Sequence, residues 1–213
     1  MTIVSTAGAA LLEEFSGGQT SDVDMMIGIG LVKDTEAVFF EYLGDDEEPA
    51  ALMRKNGRAL TRMPNVVLSG IDIVEVRQGE FNSIKLNLYL NTGAGRSILV
   101  TSGLTTLWSQ CIVTCLMGML KGGDLTCPFH LDTWKGTQGL KPCFAAIRVG
   151  ETKMSDNELY GLLSEARSDR DKLKVETLMR NAVEQLRAPF TTDEVAVTVA
   201  PVLTAKEVET DLF

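Results

Sequence analysis

The chain has 213 residues, of which 45% are hydrophobic, so it is long enough to bury a substantial core. No apolar run is long enough to span a membrane, and the acidic pair Glu13 and Glu14 near the start is not typical of a secretion signal. Four cysteines without an export signal favour free thiols in a reducing compartment. We therefore expect a cytoplasmic protein.

The charge is distributed unevenly along the chain. A net charge of −9 argues against a nucleic-acid partner, because affinity for phosphates comes from lysine and arginine. However, residues 51–150 contain eleven bases and five acids, whereas residues 1–50 contain eleven acids and one base. Residues 151–213 contain thirteen acids and eight bases. A basic middle region between acidic ends indicates that the middle region meets a negatively charged partner.

The first predicted elements in chain order are strands. Residues 1–60 are interpreted as an N-terminal extension with possible short strands. Regular structure begins with a long strand over Val66–Arg77, where the interior Gly70 indicates a bulge or bend. Strict alternation over Ile84–Leu90 predicts a second strand with one buried face, and Arg96–Thr101 predicts a third that returns after the turn "NTGAG".

A helix and two more strands complete the predicted core. Apolar residues recur at helical spacing over Leu104–Leu120, which places Trp108 in the core and ends the helix at Gly122. Strands are predicted over Cys127–Thr133 and Cys143–Val149. Three strands, a helix and two strands is the element order of the five-stranded OB-fold Greek-key barrel. We therefore predict an α+β, mostly β, chain with an OB-fold barrel over residues 61–150 and a helix between strands three and four.

The remainder of the chain is predicted to be helical and then irregular. Residues 151–189 form the predicted helical segment, which Ser155 and Glu158 would open as a capping box and Pro189 would end. A charge-dense stretch at 167–172 could kink or interrupt it. This amphipathic segment would pack on the barrel or on a second subunit, so a homodimer stays possible. Residues 190–213 are interpreted as an acidic mobile tail.

The strands from "GIDIVEVRQGEFNSIKLNLYL" through "LDTWKGTQGLKPCFAAIRVG", with the acidic ending at Phe213, resemble OB-fold single-stranded DNA-binding proteins of phages and bacteria. The resemblance implies a protein without catalysis or cofactor that coats or protects single-stranded DNA in replication, recombination or repair. It also implies that the tail recruits partner proteins. The tail residues that match in character are Glu209, Asp211, Leu212 and Phe213.

Binding of single strands without sequence preference needs a basic groove for the backbone and aromatic faces for the bases. In an OB-fold, strands two and three and the loops after strands one and four form that groove. The aromatic side chains expected to stack on bases are Phe81, Tyr89, Trp134 and Phe144, with Asn87 beside Tyr89. The side chains expected to contact phosphates are Arg77, Lys85, Arg96, Lys135, Lys141 and Arg148.

Other functions are weighed against this one. A protein-interaction module or accessory scaffold that does not itself bind DNA is favoured by the net charge and opposed by the basic middle region. A zinc site is disfavoured, because Cys127 and His130 would point to opposite faces of a strand. Enzymatic catalysis is also disfavoured, because His130 is the single histidine and neither a Walker motif nor a nucleophile elbow is present. The choice between DNA and RNA stays open.

Overall fold

The computed structural model describes residues 23–30, 35–43, 47–78, 81–137 and 141–191, without the side chains at positions 77, 78 and 81. Within these ranges the chain forms one sheet and three helices. The strands are β1 Met25–Ile29, β2 Phe39–Glu41, β3 Ala50–Ala51, β4 Arg62–Gln78, β5 Phe81–Thr92, β6 Ser97–Gly103, β7 Phe129–Lys135, β8 Cys143–Val149 and β9 Thr152–Lys153. The helices are α1 Leu107–Lys121, α2 Asn157–Ser168 and α3 Lys172–Thr191.

The predicted closed OB-fold barrel is wrong. The sheet is open and nine-stranded, in the order β3-β2-β1-β6-β5-β4-β7-β8-β9. All five predicted strands are present as β4 to β8, but β1 pairs in parallel with β6, with Met25 opposite Ile98 and Gly28 opposite Thr101. A strand edge that is already paired offers no free N–H and C=O groups to another strand. The edge of β6 is therefore closed to β8, and the sheet continues outward through β2 and β3.

The long hairpin of β4 and β5 contains the predicted bulge. The pairing shifts between Leu68 and Gly70, and Gly70 then lies opposite Tyr89. A Cβ atom at Gly70 would lie 3.3 Å from Cδ2 of Tyr89, so the tyrosine ring lies across the glycine. The tyrosine ring can lie there because Gly70 has no side chain.

The helices cover one face of the sheet. On β5, Leu86, Leu88 and Leu90 belong to the same buried cluster as Ile112 of α1 and Met179 of α3. The alternate side chains of the strand point to the opposite face. In β7 the same alternation turns Leu131 and Thr133 toward the core and Trp134 away from it. The face opposite the helices is therefore where the candidate binding residues lie.

The central helix is formed as predicted. The side chain of Thr106 accepts a hydrogen bond from the backbone N–H of Ser109, which caps the start of α1, and the helix ends at Gly122. Trp108 is 1% exposed, and its Nε1 donates to Oγ1 of Thr133 at 3.1 Å. The predicted core position of Trp108 is thus confirmed. None of the helices in the described ranges is long and apolar enough to cross a membrane.

The predicted helical segment after residue 150 is two helices. The chain breaks between α2 and α3 at the charge-dense stretch, where Arg170 has a left-handed φ of 58°. The capping box predicted from Ser155 is wrong, because the side chain of Asp156 accepts from the backbone N–H of Glu158 at 3.1 Å. Pro189 does not end the helix, since α3 continues to Thr191.

The chain before α2 packs directly on α1. The backbone N–H of Asp156 donates to the carbonyl of Thr114 at 2.9 Å. A Cβ atom at Gly118 would lie 2.7 Å from the carbonyl carbon of Ser155. Near the end of α1, Nζ of Lys121 lies 2.8 Å from Oδ2 of Asp156. Glycine in the middle of α1 is therefore needed for backbone contact between the two segments.

Candidate nucleic-acid interface

A partly exposed aromatic pair lies on β7 and β8. Trp134 is 43% exposed and lies directly opposite Phe144 in the register of the two strands. Their ring centroids are 6.1 Å apart and the ring planes differ by 20°, so the two rings stack. Gly136 follows the tryptophan, and a Cβ atom there would come within 3.1 Å of the Phe144 ring. The strand register thus holds an aromatic platform in which the tryptophan is partly exposed to solvent.

Two arginines share one aspartate beside the aromatic pair. Asp132 precedes Trp134 by two positions on β7 and therefore points to the same face. Arg62, on β4, lies opposite Asp132 and donates hydrogen bonds to both of its carboxylate oxygens, with Nη2 donating to Oδ2 at 3.0 Å. Nε of Arg148 on β8 lies 3.3 Å from Oδ2. The hydrogen bond from Arg62, with the charges of Arg62 and Arg148, holds the pKa of Asp132 below its usual range.

Further cationic and polar groups border this face. His130 and Lys153 both lie opposite Arg148, on β7 and β9 respectively, so all three side chains point the same way. Nδ1 of His130 accepts a hydrogen bond from the backbone N–H of Asn65 at 3.2 Å. We call this region the Trp134 surface. It consists of Arg62, His130, Asp132, Trp134, Phe144, Arg148 and Lys153.

Two of the predicted phosphate-binding lysines hold a neighbouring segment instead. Nζ of Lys135 donates to the backbone carbonyl of Thr35. Nζ of Lys141 lies 3.4 Å from Oε1 of Glu36. Both lysines thus connect the end of β7 and the start of β8 to the chain before β2. Their charges are partly compensated there and are directed toward that segment.

The residues predicted on β5 form a separate group. Lys85, Asn87 and Tyr89 share the face opposite the helices, but Asn87 is fully buried. Burial lowers the pKa of Lys85, and burial followed by the charge of Asp72 raises the pKa of Tyr89. Along β4, the partner of Tyr89 is eight positions from the partner of Asp132. At about 3.3 Å per residue that separation is roughly 26 Å.

The other predicted residues fall outside both groups. Arg96 is exposed in the turn between β5 and β6, where its backbone N–H donates to Oγ1 of Thr92 at 3.1 Å. Arg77 and Phe81 lie at the far end of the β4–β5 hairpin, and their side chains are outside the description. The residues of the tail predicted to bind partners also lie outside the described ranges: Glu209, Asp211, Leu212 and Phe213.

The structure thus brings together three of the residues predicted to bind DNA, which are Trp134, Phe144 and Arg148. It adds four that were not predicted from the sequence, which are Arg62, His130, Asp132 and Lys153. Arg62 and Asp132 carried a usable signal, since opposite charges often face each other across antiparallel strands. His130 and Lys153 carried none, because their position depends on the pairing of β4, β7, β8 and β9. Among the described residues, no group of three or more histidines, cysteines and carboxylates is arranged to hold a metal ion.

Comparison with known proteins finds no matching family model, no matching curated protein and no matching solved structure. The functional argument for this chain therefore depends on the geometry and chemistry of its own residues.

Proposed function

We propose that the protein binds single-stranded DNA without catalysis, with the Trp134 surface as its principal contact. The observation that carries the proposal is the stacked pair of Trp134 and Phe144, in which Trp134 is exposed beside Arg62 and Arg148. A base that stacks on such a platform contributes about 1–3 kcal/mol whatever its identity. The two arginines and Lys153 would meet the phosphates on either side of that base.

The charge of the Trp134 surface predicts binding of moderate strength. Asp132 lies between the two arginines and offsets part of their attraction for phosphate. With about three cations in contact, the logarithm of the binding constant should fall by roughly 2 for each tenfold rise in salt. The separate group at Lys85 and Tyr89 lies far enough away to serve as a second contact for a longer strand. Binding of this kind suits a cytoplasmic protein of replication, recombination or repair, with the acidic tail recruiting partners.

Tryptophan fluorescence tests the proposal directly. Trp108 is 1% exposed and Trp134 is 43% exposed, so a bound base should quench Trp134 selectively. Titration with oligo(dT) at low salt should quench the emission, and Trp134→Ala should abolish both the quenching and most of the affinity measured by anisotropy of a labelled strand. Trp134→Phe should lose the signal but keep much of the affinity, because phenylalanine still stacks.

A charge variant supplies the second measurement. Arg148→Gln should weaken binding and make the salt dependence shallower by about 0.7 for the lost phosphate contact. Lys174→Gln is the matched control, since this lysine pairs with Glu165 on the helical layer. Filter binding with single-stranded DNA, duplex DNA and RNA at two ionic strengths should show preference for single strands. Unquenched emission at low salt, with equal affinity in wild type and Trp134→Ala, would refute the proposal.

One observation favours a second candidate function. Asp132 neutralises part of the charge at the centre of the Trp134 surface, and the whole chain has a net charge of −9. An exposed aromatic pair surrounded by paired charges also suits a protein-interaction module, because aromatic and arginine side chains are enriched at such interfaces. Chromatography of the protein with and without oligo(dT) distinguishes the two functions, since only a DNA-binding protein will co-elute with the strand.

A further inference from the structure

A second basic site lies in the helical layer. A cavity of about 580 Å³ opens between the first turn of α1, the end of α2 and the start of α3. Leu107, Ala166 and Val175 give it apolar walls. Its volume falls within the range of about 300–1,000 Å³ that is typical of small-molecule sites. The cations at its border are Arg167, Arg170 and Lys172, and its remaining lining residues are Thr105, Gln110 and Asp171.

The three cations have no acidic partner among the described residues. Asp171 does line the cavity, but its Oδ1 accepts a hydrogen bond from the backbone N–H of Lys174 at 2.9 Å and so caps α3. Lys174 itself turns away to Glu165, at 3.3 Å. Three cationic side chains and one carboxylate therefore line the cavity, which gives the lining a formal charge of +2.

One of the cations is held in a fixed orientation. Gln110 is 4% exposed, and its Nε2 donates to the carbonyl of Thr105 at 2.7 Å. Its Oε1 then accepts from Nη1 of Arg167. The guanidinium carbon of Arg167 also lies 6.0 Å from the centre of the Tyr160 ring. A guanidinium has five N–H donors, and orienting it in advance reduces the entropy lost when an anion binds.

We propose that this cavity binds the phosphate group of a nucleotide-sized organic phosphate. Arg167, Arg170 and Lys172 would hold the phosphate, and the apolar walls would contact the organic part. The first turns of α1 and α3 border the cavity, and their backbone dipoles add to the attraction for an anion. The site is separate from the Trp134 surface, and its existence does not depend on the proposed DNA binding. The phosphate could belong to a free nucleotide or to the 5′ end of a DNA strand.

Arg170 allows binding to be separated from folding. Its φ of 58° is strained for arginine and ordinary for glycine. Arg170→Gly should therefore keep or raise the melting temperature while it weakens binding of pyrophosphate and ATP by about tenfold, the effect of one charged hydrogen bond. Lys172→Gln should weaken binding similarly. Lys174→Gln is again the control, because its side chain does not line the cavity.

Isothermal titration of the full chain with pyrophosphate, ATP and dTMP at low salt gives the affinities. Oligonucleotides with and without a 5′-phosphate, titrated into Trp134→Ala, identify the source of the phosphate. If the phosphorylated strand binds more tightly than the unphosphorylated one, and Arg170→Gly removes that difference, the phosphate belongs to a strand end. If Arg170→Gly weakens the binding of ATP alone, the phosphate belongs to a free nucleotide. The proposal is overturned if no probe binds at millimolar concentration, or if Arg170→Gly with Lys172→Gln binds as well as wild type.

Discussion

Two glycines in helices provide opposite predictions from the same substitution. Replacing an interior helical glycine by alanine stabilises a helix by about 1 kcal/mol when nothing opposes the new methyl group. At Gly161 of α2 no atom lies within 4 Å of the added Cβ, so Gly161→Ala should stabilise the protein by up to that amount. At Gly118 of α1 the added Cβ would meet the carbonyl carbon of Ser155 at 2.7 Å and its nitrogen at 2.8 Å.

The contact at Gly118 cannot be relieved by a side-chain rotation, because the atoms met are backbone. Overpacking of this kind costs about 1–3 kcal/mol. After the gain of about 1 kcal/mol in helix propensity, Gly118→Ala should lower the free energy of unfolding by up to about 2 kcal/mol. The hydrogen bond from the Asp156 N–H to Thr114 would lengthen as the two segments separate.

Urea unfolding followed by circular dichroism measures both variants. With a denaturant slope of about 2 kcal/mol per molar, the urea midpoint of Gly118→Ala should fall by up to about 1 M. The midpoint of Gly161→Ala should rise by up to about 0.5 M. Equal stabilisation by both substitutions would refute the close backbone contact between α1 and the chain before α2.

Two carboxylates give further predictions. Asp132→Asn removes the negative charge between Arg62 and Arg148, so the affinity for oligo(dT) at low salt should rise about two- to threefold for each phosphate held at roughly 7 Å. The same variant should lower the free energy of unfolding at pH 7, because the pKa of Asp132 lies below its usual value in the folded protein. This loss of stability should be present above about pH 4 and should vanish as the pH falls through the folded-state pKa. Unchanged or weaker binding would contradict contact at this surface. Burial raises the pKa of Asp156, but hydrogen bonds from Lys121 and from backbone N–H groups outweigh burial and hold this pKa below its usual value. The stability that the ionised Asp156 contributes should therefore also be lost on acidification. Asp156→Ala should cost about 1 kcal/mol at pH 7 through the lost helix cap. Asp156→Asn should keep most of the cap and lose only the acid dependence, as urea unfolding from pH 7 to pH 2.5 would show.

Local structure could be predicted from this sequence better than topology. The alternation over β5 and the helical spacing over α1 identified both elements, since each pattern reflects which face of the element is buried. Patterns of this kind do not show which strands pair, so they could not test whether the sheet closes into a barrel. Its failure comes from β1, a five-residue strand in a region whose composition gives no clear period, and from the parallel partner that β1 finds in β6. Adjacent strands in the chain carry a pairing signal in their turn, and β1 and β6 have none.

The candidate site shows the same division. Trp134 was identifiable because it lies beside glycine and lysine in a polar stretch, and its exposure fits that interpretation. Lys135 and Lys141 looked equally suitable, but their contacts with Thr35 and Glu36 join positions about a hundred residues apart. Asn87 alternates with leucines as a surface residue would, yet it is fully buried. Alternation gives the face of a strand, but it does not give what lies over that face.

The parallel pairing of β1 with β6 also constrains the order in which the chain can assemble. Asp24 and Ser97, which exchange hydrogen bonds beside this pair, are 73 positions apart, whereas β5 and β6 are joined by a tight turn. During synthesis on the ribosome β1 emerges first, but it must wait for β6 before it has a partner. Closing so long a loop is entropically unfavourable until the hairpins have formed a template. The strands made earliest are therefore expected to join the sheet late.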